Sequence, residues 1–203
     1  MIAIIDYGLG NLRSVKYAMD RLGVYSKLTS EAGTISGASA VILPGVGALG
    51  EAMQQFRKLD LVDVTLEAAS SGRAFLGICL GQQLLFSESE EHGRHEALNI
   101  IAGKVVRFAD DLTVPHMGWN QVSKDSDCPL LEGIPDNSFF YFAHSYYVVP
   151  ADDGVSVGMT DYGGKFASVV QKGNVFGTQF HPEKSGPIGQ KMLANFCKLA
   201  GEI

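Results

Sequence analysis

Cysteine is scarce: Cys79, Cys128 and Cys197 are the only three in 203 residues. An odd, sparse set makes no disulfide framework, and a reducing, cytoplasmic compartment is the expectation. Long apolar runs are missing too. None approaches the roughly 18 residues of a membrane span. The opening Met1–Gly10 has no basic segment and carries Asp6 within its apolar stretch, which argues against a signal peptide. The 16 Lys and Arg residues are scattered, so a phosphate backbone finds no grip and nucleic acid is not an expected partner. No internal repeat exists either: the 24 glycines fall at turns, which excludes a fibrous protein. His92 and His95 form H-x-x-H, but no third ligand of suitable spacing accompanies them. A solvated loop is the simpler reading, and no metal is expected.

What is present suits one globular domain over residues 1–203, with 46% apolar residues and a formal charge of −6. Ile2 to Ile5 read as a buried strand, ended by Asp6, Tyr7 and Gly8. Asn11 is placed to cap a following helix and Gly23 to close it. Leu12, Val15, Met19 and Leu22 give that helix one apolar face. Val41–Leu43 reads as a second strand, broken by Pro44 and Gly45. Helical stretches follow near Ala48–Lys58 and Leu61–Ser71, then a strand at Ala74–Ile78 and a helix from Cys79 through Leu85. The alternation predicts an α/β fold: a mostly parallel central sheet with helices on both faces. Segments near Gly103–Phe108, Ser138–Val149, Phe166–Gln171 and Asn174–Phe180 read as strands, partly antiparallel, and a smaller, partly antiparallel sheet is expected beside the central one. Ile188, Met192, Phe196 and Leu199 mark a final amphipathic helix.

Gly77-Ile78-Cys79-Leu80-Gly81 is G-x-C-x-G between a strand and a helix, the thiol form of a nucleophile elbow. A sharp strand-to-helix turn pushes the nucleophile outward, and flanking glycines remove side chains that would collide there. The helix N-terminus favours thiolate over thiol. The Leu80 N–H is placed to meet a developing oxyanion. An isolated cysteine is more often a core residue; the glycines and the strand–helix context reverse that. Cys128 and Cys197 have no elbow around them.

A thiolate nucleophile needs a base, and the base needs an orienting group. Phe180-His181-Pro182-Glu183 supplies both at the end of an apolar strand, where functional groups of open α/β sheets collect. His144, within a strand-rich region, is the runner-up. His116, in a turn-like segment, and His144 are otherwise read as structural histidines. Gly45-Val46-Gly47-Ala48-Leu49-Gly50 has the G-x-G-x-x-G spacing of a dinucleotide site, but the acidic residue expected about 20 positions on is missing. An anion-binding turn, half of an oxyanion hole, is the preferred reading.

The elbow with Gln82-Gln83, the Pro44-Gly45-Val46-Gly47 turn and His181-Pro182-Glu183 together resemble the class I glutamine amidotransferases. Pro115-His116-Met117-Gly118-Trp119-Asn120, Tyr141–Tyr147 and Gln179–Ser185 are similar to the glutaminase subunits of imidazole glycerol phosphate synthase. The resemblance runs from Ile5 to near Gly189. It implies glutamine hydrolysis with Cys79 as nucleophile, His181 as acid–base and Glu183 as its orienter, without a cofactor. It implies oxyanion donors at Val46, Gly47 and Leu80, and a glutamine site around Gly45, Gln83, Glu91, Ser145 and Tyr146. It implies a heterodimer with a (β/α)8-barrel cyclase, reached through Asn11, Trp119, Tyr141 and Lys184, to which ammonia is delivered. Gln82 departs from the family's more common Met, which bears on packing more than on chemistry. The competing readings are the same chemistry in another pathway, a stand-alone cysteine hydrolase or peptidase, and an inactive regulatory subunit.

Overall fold

The computed structural model describes residues 1–203. Strand and helix alternate through the first half: β1 (Ile2–Ile5), α1 (Leu12–Arg21), β2 (Ser26–Thr29), α2 (Ala32–Ser36), β3 (Ala40–Gly45), α3 (Leu49–Lys58), α4 (Val62–Ser70), β4 (Ala74–Cys79) and α5 (Leu80–Leu84). Strands dominate the second half: β5 (Glu88–Ser89), β6 (His95–Glu96), β7 (Gly103–Arg107), β8 (His116–Lys124), β9 (Ser138–His144), β10 (Tyr146–Pro150), β11 (Ser156–Asp161), β12 (Lys165–Lys172) and β13 (Val175–Thr178). Helix α6 (Gly186–Leu199) follows.

Nine strands form one sheet in the order β2-β1-β3-β4-β13-β12-β11-β8-β9. From β2 to β13 neighbours are parallel; from β13 to β9 they are antiparallel. The smaller sheet, β10-β7-β5-β6, is partly antiparallel.

The apolar runs of β1, β3 and β4 follow from burial on both faces, which leaves no position for a polar side chain. Ile2, Ile4, Ala40, Ile42, Leu76 and Ile78 point into a core shared with α1 and α6. The alternate residues Ala3, Ile5, Val41, Leu43 and Phe75 point into a second core shared with α2, α3 and α4. Each buried methylene contributes about 0.8 kcal/mol.

Several boundaries differ from the sequence reading, each for a physical reason. Strand β3 does not break at Pro44 but runs on to Gly45, pairing Pro44 with Ile78 and Gly45 with Cys79. Strand β1 pairs with β3 only as far as Ile42. Pro44 therefore has a strand neighbour on one side alone, where a missing N–H is tolerated. Asn11 does occupy the N-cap of α1, but its Oδ1 accepts from the Ser14 hydroxyl (2.8 Å) rather than from a backbone N–H. The stretch Ser138–Val149 is two strands, not one: β9 lies in the large sheet and β10 in the small one, with the switch at Ser145. Strand β8 escaped notice because only His116 and Val122 of its nine residues are buried, too few for a periodic signal.

Candidate active site

Cys79 ends β4 with φ 56° and ψ −110°, a backbone conformation that L-residues rarely adopt. The turn is tight on all sides. A Cβ on Gly77 would lie 2.6 Å from the Gly81 carbonyl oxygen, and one on Gly81 would lie 1.8 Å from that of Leu43. Only glycine lets α5 start this close to β3 and β4. The register that sets Gly45 opposite Cys79 brings the Val46–Gly47 turn beside the nucleophile. Gly45 itself lies against the Tyr7 hydroxyl and the Leu80 side chain.

His181 follows β13, and its N–H is tied to the Tyr141 carbonyl of β9 (2.9 Å). A single 3-10 turn, Pro182–Lys184, then folds back. That turn sets Glu183 Oε1 2.9 Å from His181 Nδ1, with both side chains almost fully buried. A carboxylate accepts, so Nδ1 carries the proton and orients the ring. Cys79 also acts on the His181 ring. Burial alone would favour the neutral imidazole, but Cys79 and Glu183 outweigh it and raise the ring to about 10. His181 is thus an imidazolium at neutral pH, able to give a proton to a leaving group.

Burial prevails on two other rings, pulling His116 down to about 4 and, against the hydrogen bond to the Tyr146 carbonyl, His144 to about 3. A group with a raised value keeps its charge until the pH climbs past it; one with a lowered value gains charge only below it. Imidazole NMR signals between pH 6 and 9 are therefore expected to show His181 charged and His116 and His144 neutral throughout. A His181 signal titrating near 6.5 would contradict this arrangement.

In front of Cys79 opens a cleft of about 420 Å³. Val46, Gly47, Leu80, Gln83, Glu91, Ser145 and Tyr146 all contribute to its wall. Ser145 and Tyr146 arrive there because the chain changes sheets at that point. Gln83 does more than line the wall: its Nε2 donates to the Tyr146 carbonyl (2.9 Å) and to Gln179 Oε1 (3.1 Å). Glu91 Oε2 accepts from the Leu49 N–H (2.9 Å), placing its charge at the start of α3 directly after the Val46–Ala48 turn. The sequence reading missed that cap and missed Gln179 altogether; nothing local marks either. Gly50, the third glycine of the misleading motif, packs under the His95 ring. His92 sits at the cleft rim.

Three of the four residues assigned to a partner surface, Trp119, Tyr141 and Lys184, fall near one another. Trp119 is 56% exposed and meets Tyr141 edge-on at 6.2 Å. Lys184 Nζ stands 5.8 Å above the Tyr141 ring. Asn11 begins α1, which packs against the turn carrying Lys184. Met117 and Phe139, not foreseen as surface residues, are exposed on the same β8–β9 hairpin. Met117 and its cross-strand partner Ala143 also line the cleft, so the apolar surface reaches its mouth. No helix is long and apolar enough to cross a membrane.

With that geometry in view, the comparisons are specific. The family model described as "Glutamine amidotransferase class-I" matches residues 3–200. The imidazole glycerol phosphate synthase subunit HisH of Moorella thermoacetica is 51% identical over 198 residues, covering 98% of this chain and 94% of its own. Those of Methanocaldococcus jannaschii (49%, covering 98% of this chain and 100% of its own) and Desulfitobacterium hafniense (48%, covering 100% and 96%) are similar to the same extent. Among solved structures, a glutamine amidotransferase superposes with a TM-score of 0.78 at 22% identity over 99% of this chain and 100% of its own. PurLQS from Thermotoga maritima does so at 0.75 and 18% identity over 97% of each chain. Those two likenesses concern the fold.

Proposed function

The chain belongs to the class I glutamine amidotransferase family, and from that membership we propose that it is the glutaminase subunit of an imidazole glycerol phosphate synthase, acting in histidine biosynthesis. It acts as one domain, residues 1–203, in the cytoplasm. The observation that carries the mechanism is the buried His181–Glu183 pair, 2.9 Å apart, acting on the thiol of a strained elbow.

The Cys79 thiolate attacks the side-chain amide carbon of glutamine. The tetrahedral oxyanion is held by the Leu80 N–H and by N–H groups of the Val46–Gly47 turn. His181 gives its proton to the amide nitrogen, the C–N bond breaks, and ammonia leaves with a thioester on Cys79. Now neutral, His181 takes a proton from water, which adds to the thioester carbon. Collapse releases glutamate and restores the thiolate–imidazolium pair. Gln83, Glu91, Ser145 and Tyr146 hold the glutamine, with Gly45 shaping the site from behind.

Ammonia becomes unreactive ammonium in water near neutral pH, so its use requires a dry route to a second active site. The partner is a (β/α)8-barrel cyclase. It joins the ammonia to a phosphorylated ribulosyl aminoimidazole carboxamide nucleotide, forming imidazole glycerol phosphate and aminoimidazole carboxamide ribotide. The exposed Met117, Trp119 and Phe139, with Tyr141 and Lys184, support docking at the cleft mouth, and Asn11 extends that surface.

The Val46–Gly47 turn is lightly packed, with Val46 40% exposed and nothing within 4 Å of a Cβ placed on Gly47, and we infer that its N–H donors align fully only when the partner docks. Losing one oxyanion donor costs about 10²–10³-fold in rate. Glutaminase turnover is therefore expected to be about 10²–10³-fold lower for the isolated chain than for its complex with the cyclase and that subunit's nucleotide. Amide-¹⁵N glutamine should deliver its label into imidazole glycerol phosphate in the complex. Full turnover by the chain alone, or an unlabelled imidazole, would overturn the reading.

A further inference from the structure

Side chains outside the triad join into one hydrogen-bonded chain that ends on the nucleophile. Asn120 Nδ2, on β8, lies 3.2 Å from His116 Nε2. His116 Nδ1 lies 3.0 Å from Nε2 of His144, its cross-strand partner on β9. His144 Nδ1 lies 2.8 Å from the Tyr146 carbonyl oxygen. That oxygen also accepts from Gln83 Nε2, which donates on to Gln179 Oε1. Gln179 Nε2 then reaches Cys79 Sγ at 3.8 Å.

The direction of every link is determined, because a carbonyl accepts and never donates. The Tyr146 carbonyl puts the His144 proton on Nδ1, so His144 Nε2 accepts and the His116 proton sits on Nδ1. His116 Nε2 then accepts from Asn120. The Asn120 amide is fixed independently: Oδ1 accepts from the Gln121 N–H (2.8 Å) and Nδ2 donates to the Asp161 carbonyl (2.9 Å). On the other branch the same carbonyl fixes Gln83 Nε2, hence Gln179 Oε1 as acceptor, hence Gln179 Nε2 as the donor facing sulfur. Reversing a link would leave a buried polar atom unpaired, at a cost that holds the whole chain in one state. Both histidines must be neutral for this to hold, as their burial makes them.

We propose that Gln179 is a further catalytic residue, donating a hydrogen bond to the Cys79 thiolate, that Gln83 is a positioning residue that holds its amide in that orientation, and that His144, itself held by His116, fixes the place of the Tyr146 carbonyl to which Gln83 donates. The inference rests on the glutaminase reading and adds a group to it. An amide donor already oriented toward sulfur stabilises thiolate over thiol without reorganising. The titratable groups around the sulfur are His181 with Glu183 behind it, the buried Tyr7 hydroxyl that follows β1, and Glu91, His92, His144 and Tyr146 in the wall of the cleft. Gln179 stands among these as an uncharged donor, so its loss leaves the triad's ion pair in place.

The test uses the complex with the cyclase. It measures the pH dependence of Cys79 alkylation by iodoacetamide, its labelling by 6-diazo-5-oxo-norleucine, and kcat and KM for glutamine. Gln179→Glu keeps the shape and removes the donor. Thiolate formation should move to higher pH, and alkylation at pH 7 and kcat should fall about tenfold or more. Gln179→Met, neutral and of similar length, should show the same direction and covers the case in which the carboxylate impairs folding. His116→Phe keeps the ring stacked between Phe142 (4.8 Å) and Tyr162 (4.0 Å) but deletes both nitrogens. It should shift the pH profile the same way, by about threefold in alkylation rate, and His116→Asn, which returns a donor near Nδ1, should restore it. If wild-type Cys79 escapes 6-diazo-5-oxo-norleucine, the glutaminase reading fails. If wild type is labelled and all the variants keep its alkylation profile, the proposal made here is wrong.

Discussion

In complex with the cyclase, Cys79→Ala is expected to lose glutamine-dependent synthesis by about 10⁴-fold or more while keeping synthesis from ammonium salts near the wild-type rate. The sulfur is the atom that forms the covalent intermediate, and removing such a group from a cooperating triad eliminates nearly all that the triad contributes. The rest of the site survives the change. Alanine has the same Cβ as cysteine, so the backbone strain at φ 56° is unchanged, and the chain should still dock on its partner. Added ammonia bypasses the glutaminase step. Two assays on one preparation therefore separate chemistry from assembly. Equal loss of both activities would point to a broken complex; retention of the glutamine-dependent one would remove Cys79 from the mechanism.

Gly81→Ala should cost about 4 kcal/mol, or leave no soluble protein. The added methyl would lie 1.8 Å from the Leu43 carbonyl oxygen and 2.8 Å from its carbon. Both atoms are backbone, in a strand paired on to β4 at Gly77, so neither moves without disrupting the sheet. Overpacking against a fixed backbone exceeds the usual 1–3 kcal/mol for extra methylenes, and a domain of this kind has about 5–15 kcal/mol in all. Gly33→Ala is the matched control. Its methyl on α2 meets nothing within 4 Å, and it should be neutral or stabilise by up to about 1 kcal/mol. Urea denaturation midpoints for the two variants compare them directly. A wild-type midpoint for Gly81→Ala would mean that α5 can retreat from β3, which would also undo the geometry argued for the thiol.

The residues that announced themselves in the sequence did so through short-range pattern. Ile2–Ile5 and Ala74–Ile78 read as buried strands because both faces of the sheet are covered and every position is apolar. Cys79 stood out through two flanking glycines, and His181 through a carboxylate two positions on. What stayed hidden depends on pairing between distant segments. His116 and His144 are 28 residues apart, and only the β8–β9 register makes them neighbours. Gln179 reaches Cys79 across 100 residues because β13 lies beside β4. The Ser138–Val149 run looked like one strand because composition does not reveal a change of sheet.

That change of sheet at Ser145 bears on how the binding site forms. One side of the cleft belongs to the nine-stranded sheet and the other to the small sheet, so neither layer alone completes the proposed glutamine site. Partial unfolding that detached the small sheet would erase substrate recognition and leave the thiol corner standing. Recognition of the amino acid is in this sense a property of the docked pair of layers.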